Sequence, residues 1–117
     1  MKTEKIELGK YKITVAEATT LMGMRRTMLR LDGAEKSKDI DDDALRILQS
    51  ITYPDLIATV TENKGFTEWP ISFEAFLDLP ERLTGKWEDA VYRLNPHWLP
   101  GFEEQEKKMP SGSSENS

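Results

Sequence analysis

The chain has 117 residues, a formal net charge of −5 and 32% charged residues, which is typical of one water-soluble domain. Its acidic balance argues against general nucleic-acid binding, which depends on Lys and Arg contacts to phosphates. Cysteine is absent, which excludes disulfides and thiolate metal sites, and the single histidine, His97, excludes a multi-histidine metal centre.

The N-terminal segment has two short alternating runs, 6–8 and 11–13, on either side of Gly9-Lys10. A two-residue loop that begins with glycine between such runs is typical of a β-hairpin. Because an isolated hairpin is marginal in water, we expect this one to pack against helices or to pair with another chain.

A first helix is predicted directly after the hairpin. Thr14 and Glu17 fit a capping box, and Gly33 fits the position that ends a helix. Apolar residues follow helical spacing in between and form one stripe: Leu21, Met24, Met28 and Leu31.

This helix carries two candidate binding surfaces. The first consists of its methionines, because unbranched thioethers repack readily against different partners; core packing is the alternative interpretation. The second is a small basic face, which fits an anion or an acidic helix unless it is simply solvated. The methionines are Met22, Met24 and Met28, and the basic residues are Arg25, Arg26 and Arg30.

The middle of the chain is predicted to be a flexible loop over 32–41. A helical segment over 44–60 follows, which is either one helix kinked at Tyr53-Pro54 or two consecutive helices joined there. The acidic run 41–43 fits the helix N-terminus, where carboxylates complement the helix dipole, better than a calcium loop, whose ligand pattern is absent. Residues 63–65 are predicted to form a turn.

The C-terminal half predicts two more helices, separated by Pro80. A short helix begins after Ser72, and a long one has an apolar face and ends before Asn95-Pro96. The apolar face consists of Leu79, Leu83, Trp87, Ala90 and Leu94. Trp69 and Trp98 flank these helices and are further candidates for partner contact, with core packing as the alternative.

These elements predict a mainly α (α+β) fold. A short N-terminal β-hairpin precedes about four to five helices in one domain, residues 1–102, and residues 103–117 form a disordered polar tail. No apolar run reaches membrane-spanning length, and the N-terminus lacks the apolar centre of a signal peptide, so we expect an intracellular protein with no membrane partner.

Motifs for catalysis are absent from the sequence. It has no glycine-rich phosphate loop, no serine nucleophile elbow and no zinc-binding His-Glu helix. Glu88 and Asp89 are adjacent, so their side chains diverge on a helix and do not form an acid/base pair. We therefore expect no enzymatic activity, no catalytic residues, no cofactor and no metal.

Three segments resemble the tail assembly chaperones of long-tailed, siphovirus-like bacteriophages and prophages. They are TYPDLIA at 52–58, WPISFEAFLDLP at 69–80 and WEDAVYRLNPHW at 87–98. The resemblance covers about residues 44–100, and the N-terminal hairpin and first helix agree with it in order and length.

The resemblance implies a function without catalysis. It implies a small helical protein that self-associates, coats the long tape measure protein in the host cytoplasm, keeps it soluble, helps to recruit tail tube subunits and is absent from the finished virion. The alternative is a small helical adaptor or regulator that binds another protein or a nucleic acid through Arg25, Arg26 and Arg30.

Overall fold

The computed structural model describes residues 1–99, which form a three-stranded antiparallel sheet and four helices. The strands are β1 (Thr3–Leu8), β2 (Tyr11–Ala16) and β3 (Val60–Lys64), in the order β1-β2-β3. The helices are α1 (Thr20–Ser37), α2 (43–58), α3 (Phe73–Leu77) and α4 (Glu81–Leu94), and a 3₁₀ turn follows at Pro96–Trp98. This architecture confirms the α+β class, and the predicted tail, 103–117, lies outside the described residues.

The N-terminal hairpin is confirmed. Ile6 pairs with Ile13 and Leu8 pairs with Tyr11, so Gly9-Lys10 is the loop between the two strands. Gly9 has a φ of 57°, in the left-handed region that glycine enters without a Cβ clash. The buried Ile6 and Ile13 lie on one face, which explains the alternating pattern in the sequence.

The third strand corrects two predictions. The helix does not continue through Val60 but ends at Ala58, and residues 63–64 belong to β3 rather than to a turn. β3 pairs antiparallel with β2, with Lys64 opposite Lys12. Its sequence, VTENK, contains one apolar residue, so neither alternation nor hydrophobicity signals a strand; pairing with β2 supplies the stabilisation that the local sequence lacks.

Helix α1 begins and ends later than predicted. Thr14 lies in β2, so it caps no helix; the N-cap is Thr19, whose hydroxyl accepts a hydrogen bond from the Met22 amide at 3.3 Å. The helix runs through Gly33 to Ser37, so much of the predicted loop is helical.

Helix α2 is unbroken although it contains a proline. It comprises an α-helical turn at Asp43–Ile47, a π-helical turn at Leu48–Thr52 and an α-helical turn at Tyr53–Ala58. The π-helical turn ends two residues before Pro54, which has no amide hydrogen to donate, and the helix continues through this proline to Ala58. The Asp42 side chain accepts from the Leu45 amide at 3.1 Å, as expected of an acid at a helix start. Counted once, α2 makes four helices in residues 1–99.

The two C-terminal helices are confirmed. The Ser72 hydroxyl accepts from the Ala75 amide at 3.0 Å and begins α3, and α4 starts directly after Pro80. Leu83, Trp87 and Ala90 are buried, as their spacing predicts. No helix among residues 1–99 is both long and apolar enough to cross a bilayer.

The core lies where α4 crosses the inner face of β1 and β2 and where α2 closes one side. Trp87 is fully buried, 6.1 Å from the Phe76 ring and 6.3 Å from the Trp69 ring, measured between centroids. Asn95 is also fully buried: its side chain accepts from the Ala18 amide at 2.8 Å and donates to the Ala16 carbonyl at 3.2 Å. It therefore joins the end of α4 to the segment between β2 and α1.

Candidate functional site

An apolar stripe on the outer face of α1 is exposed to solvent. Its four side chains are 56% to 66% accessible and follow spacings of three, four and three, which places them on one helix face: Leu21, Met24, Met28 and Leu31. We call this surface the α1 stripe. The core-packing interpretation is therefore wrong for Met24 and Met28.

The opposite face of α1 packs against α2 through small residues. Gly33 and Ser37 are buried, and a Cβ atom added to Gly33 would lie 2.2 Å from the Gln49 carbonyl oxygen. This contact leaves no room for a side chain, so it fixes how α1 lies on α2. The α1 stripe is consequently held away from the core of its own chain.

A buried carboxylate holds α1 to the rest of the fold. Asp55, on α2, has no solvent exposure. Its Oδ1 accepts from Arg26 Nε at 2.6 Å and from Arg30 Nε at 3.1 Å, and its Oδ2 accepts from Arg30 Nη2 at 2.9 Å and from the Tyr92 hydroxyl at 2.7 Å. Two guanidinium groups and a hydroxyl thus compensate the loss of water around one carboxylate.

Tyr92 is perturbed by this environment. Burial, and next the hydrogen bond to Asp55, raise the pKa of the Tyr92 hydroxyl well above its usual range. The phenol therefore stays protonated and keeps donating to the carboxylate at neutral pH.

Two of the three arginines of the predicted basic face are engaged in these contacts. Arg26 and Arg30 bind Asp55, and their side chains are only 19% and 31% exposed. Of the three arginines, only Arg25 is exposed and makes no salt bridge within residues 1–99. Phosphate binding requires free cations, so this arrangement weighs against the adaptor that binds nucleic acid through all three.

Both candidate tryptophans pack against other side chains and are not exposed on the surface. Trp98 is buried, and the Arg26 guanidinium carbon lies 4.3 Å from a Trp98 ring centroid, a cation–π contact. Trp69 is partly buried, and its ring lies 5.3 Å from Phe66. Met22 is also only partly exposed. Of the five candidate partner-binding residues, the structure therefore brings only Met24 and Met28 together on an open surface.

A second apolar surface lies between α2 and the C-terminal helices. It is a groove of about 330 Å³ that we call the acidic groove. Its apolar side chains are Leu48, Phe76, Leu77 and Leu79, and its charged side chains are Glu81 and Glu88. Desolvation, and next the neighbouring Asp89 charge, raise the pKa of the Glu88 carboxyl above its usual value.

No group of three or more His, Cys, Asp or Glu side chains within residues 1–99 is placed to hold a metal ion. His97 packs edge-on against Trp98, with 5.9 Å between ring centroids, rather than beside a nucleophile.

The Asp55 network was not predicted from the sequence. The only local signal is a carboxylate within the otherwise uncharged run 51–60, where a buried charge needs a partner. Its partners lie 25 and 29 residues before it and 37 residues after it, so no motif connects them.

No family model matches this sequence, and neither a curated protein nor a solved structure matches it.

Proposed function

We propose that this protein is a tail assembly chaperone of a long-tailed phage or prophage. In this proposal it binds the tape measure protein in the host cytoplasm, keeps it soluble, helps to recruit tail tube subunits and leaves before the virion is complete. The proposed activity involves no catalysis. The observation that carries the proposal is the exposed α1 stripe, together with the resemblance of segments 52–58, 69–80 and 87–98.

The α1 stripe has the geometry of a helix-binding surface. Leu21 and Leu31 are separated by three helical turns, about 15 Å, and a stripe with this spacing pairs with the apolar face of another helix. Met24 and Met28 occupy its centre, where thioethers adapt to differing side chains along a client. A long amphipathic helix such as a tape measure protein presents many such faces and would aggregate if they stayed uncovered.

A single contact of this size is expected to be weak. Stable interfaces bury about 800 Å² on each partner, more than four side chains on one helix provide. Weak individual contacts suit a protein that must leave its client, since many copies along one long helix still give high overall avidity.

Co-expression tests this function. Fragments of a tape measure protein are expected to stay soluble when the unaltered chain is present. The variant Met24→Glu/Met28→Glu is expected to fold but to leave the fragments in the pellet. A control variant, Thr3→Glu/Thr67→Glu, adds the same charge at exposed positions away from the stripe and should protect as well as the unaltered chain.

Equal protection by the stripe variant would contradict the role of the α1 stripe. Failure of the unaltered chain with every fragment would contradict the chaperone function itself.

A further inference from the structure

The acidic groove has the chemistry of a docking site for an apolar helix with a basic flank. Leu77 is 42% exposed within it, and an enclosed cavity of about 150 Å³ already admits a benzene ring, so a 330 Å³ groove has room for more than one apolar side chain. Gly85 lines the groove, and a Cβ added there would meet nothing within 4 Å, so the groove is open at this point.

The charged side chains that line the acidic groove are both negative. Glu81 and Glu88 are exposed, neither makes a salt bridge to another residue in the part of the chain that the structure describes, and no basic side chain lines the groove. The raised pKa of Glu88 reflects a carboxylate that has lost part of its water without gaining a cation. A partner with a positive charge beside its apolar side chains would complement both properties.

The α1 stripe provides that combination. Arg25 is exposed, and it lies one turn from Leu21 and from Met28 on α1. Within residues 1–99, eight large apolar side chains are exposed. Four form the α1 stripe and Leu77 lines the acidic groove; the other three are Ile47, Met1 and Leu99. The two surfaces therefore hold five of these eight exposed side chains.

The α1 stripe cannot dock in the acidic groove of the same chain. The Gly33 contact holds α1 against α2 with the stripe directed outward, and the Asp55 network fixes the same helix a turn earlier. Residues of α2 that meet α1, such as Gln49, differ from those that line the groove, such as Leu48 and Thr52. Contact between stripe and groove therefore requires two molecules.

We propose that the α1 stripe of one copy docks in the acidic groove of a second copy, with Arg25 against Glu81 and Glu88. The two surfaces differ, so the contact is head to tail: the copy that supplies the stripe keeps a free groove, and the copy that supplies the groove keeps a free stripe. Such contacts close into rings or continue as open arrays. The contact also covers the stripe in the absence of a client, so a client helix would compete with it; the self-association itself does not depend on the client being a tape measure protein.

Mixing two disabled variants tests this arrangement. Met24→Glu/Met28→Glu retains the groove, and Gly85→Arg/Glu88→Arg retains the stripe; all four positions are exposed, so both variants should fold, which circular dichroism verifies. By sedimentation velocity, the unaltered chain should form species larger than a dimer as its concentration rises. Each variant alone should remain monomeric, and the mixture should form a 1:1 heterodimer that grows no further.

Other outcomes overturn the proposal. If the groove variant alone still dimerises, the contact is stripe on stripe. If the mixture stays monomeric while the unaltered chain associates, the contact uses other surfaces. If the unaltered chain is monomeric at all concentrations, there is no self-contact.

A charge exchange tests the ionic part of the contact. Arg25→Glu and Glu88→Arg should each raise the dissociation constant of self-association about tenfold, because each brings like charges together. The chain that carries both changes should recover most of that loss. Lys5→Glu, the same charge change on the outer face of the sheet, should alter the dissociation constant less than twofold. Loss without recovery in the double variant would contradict the pairing of Arg25 with the groove.

Discussion

Among residues 1–99, Asp55 is the only acid that forms salt bridges with Arg26 and Arg30 of α1, so replacing Asp55 removes their partner. In Asp55→Ala, Arg26 and Arg30 would face a site without countercharge, and Tyr92 would lose its acceptor. Breaking a buried ion pair from one side costs about 3–5 kcal/mol, because the remaining charge stays desolvated. The two arginines keep 19% and 31% exposure, so part of their charge stays hydrated, and we expect a loss near the lower end, about 3 kcal/mol.

Urea unfolding followed by far-UV circular dichroism measures this loss. With a slope of about 2 kcal/mol per molar urea, a loss of about 3 kcal/mol lowers the midpoint by roughly 1.5 M. Asp55→Asn, which preserves the shape but not the charge, should lose most of the same stability. Asp39→Asn makes the same change at an exposed position and should stay within about 0.5 kcal/mol of the unaltered chain.

The result that refutes this reasoning is an Asp55→Asn midpoint equal to that of the Asp39→Asn control. The arginines would then be adequately solvated without Asp55, and the network would not be what fixes α1 in place.

Three further predictions concern contacts that position α1 and α4. Gly33→Ala should lower the free energy of unfolding by about 1–3 kcal/mol, because the added Cβ would overlap the backbone of α2. Gly23→Ala should raise the free energy of unfolding by roughly 0.5–1 kcal/mol, because nothing lies within 4 Å of the added Cβ. Urea titration of both variants measures the two changes. The raised pKa of Tyr92 contributes stability that is complete below about pH 10 and is lost above it, because the Tyr92 hydroxyl loses its proton first in the unfolded state. The urea midpoint of Tyr92→Phe should therefore fall less steeply at alkaline pH than that of the unaltered chain. An equally steep fall would contradict this. Asn95→Ala should cost about 2–3 kcal/mol, since it removes the side-chain partner of the Ala18 amide and of the Ala16 carbonyl; a melting temperature equal to that of the unaltered chain would show that water replaces this side chain.

Local patterns account for the parts of the fold that the sequence predicted. The Gly9-Lys10 loop between alternating runs and the apolar face of α4 depend on neighbours within one or two turns, so periodicity and capping residues are sufficient to find them. Strand β3 depends on pairing with β2, whose partner residues lie 45 to 52 residues earlier in the chain, and its own residues carry no comparable signal.

The candidate site illustrates a different limit. Hydrophobic periodicity located the stripe from Leu21 to Leu31 on one face of α1, but a periodic pattern does not say whether that face meets the core or solvent. The deciding residues are on the other face, where Gly33 closes against α2 and the arginines reach Asp55. A glycine in a helix or a carboxylate among uncharged residues indicates that a contact exists, but it does not indicate which residue forms that contact.

Photo-crosslinking tests most directly whether the α1 stripe binds a client. A photoreactive residue placed at Met24 should crosslink to a co-expressed tape measure fragment, and the same residue placed at the exposed Thr67 should not. Equal crosslinking at both positions, or none at position 24 while the fragment stays soluble, would show that the protein holds its client through another surface.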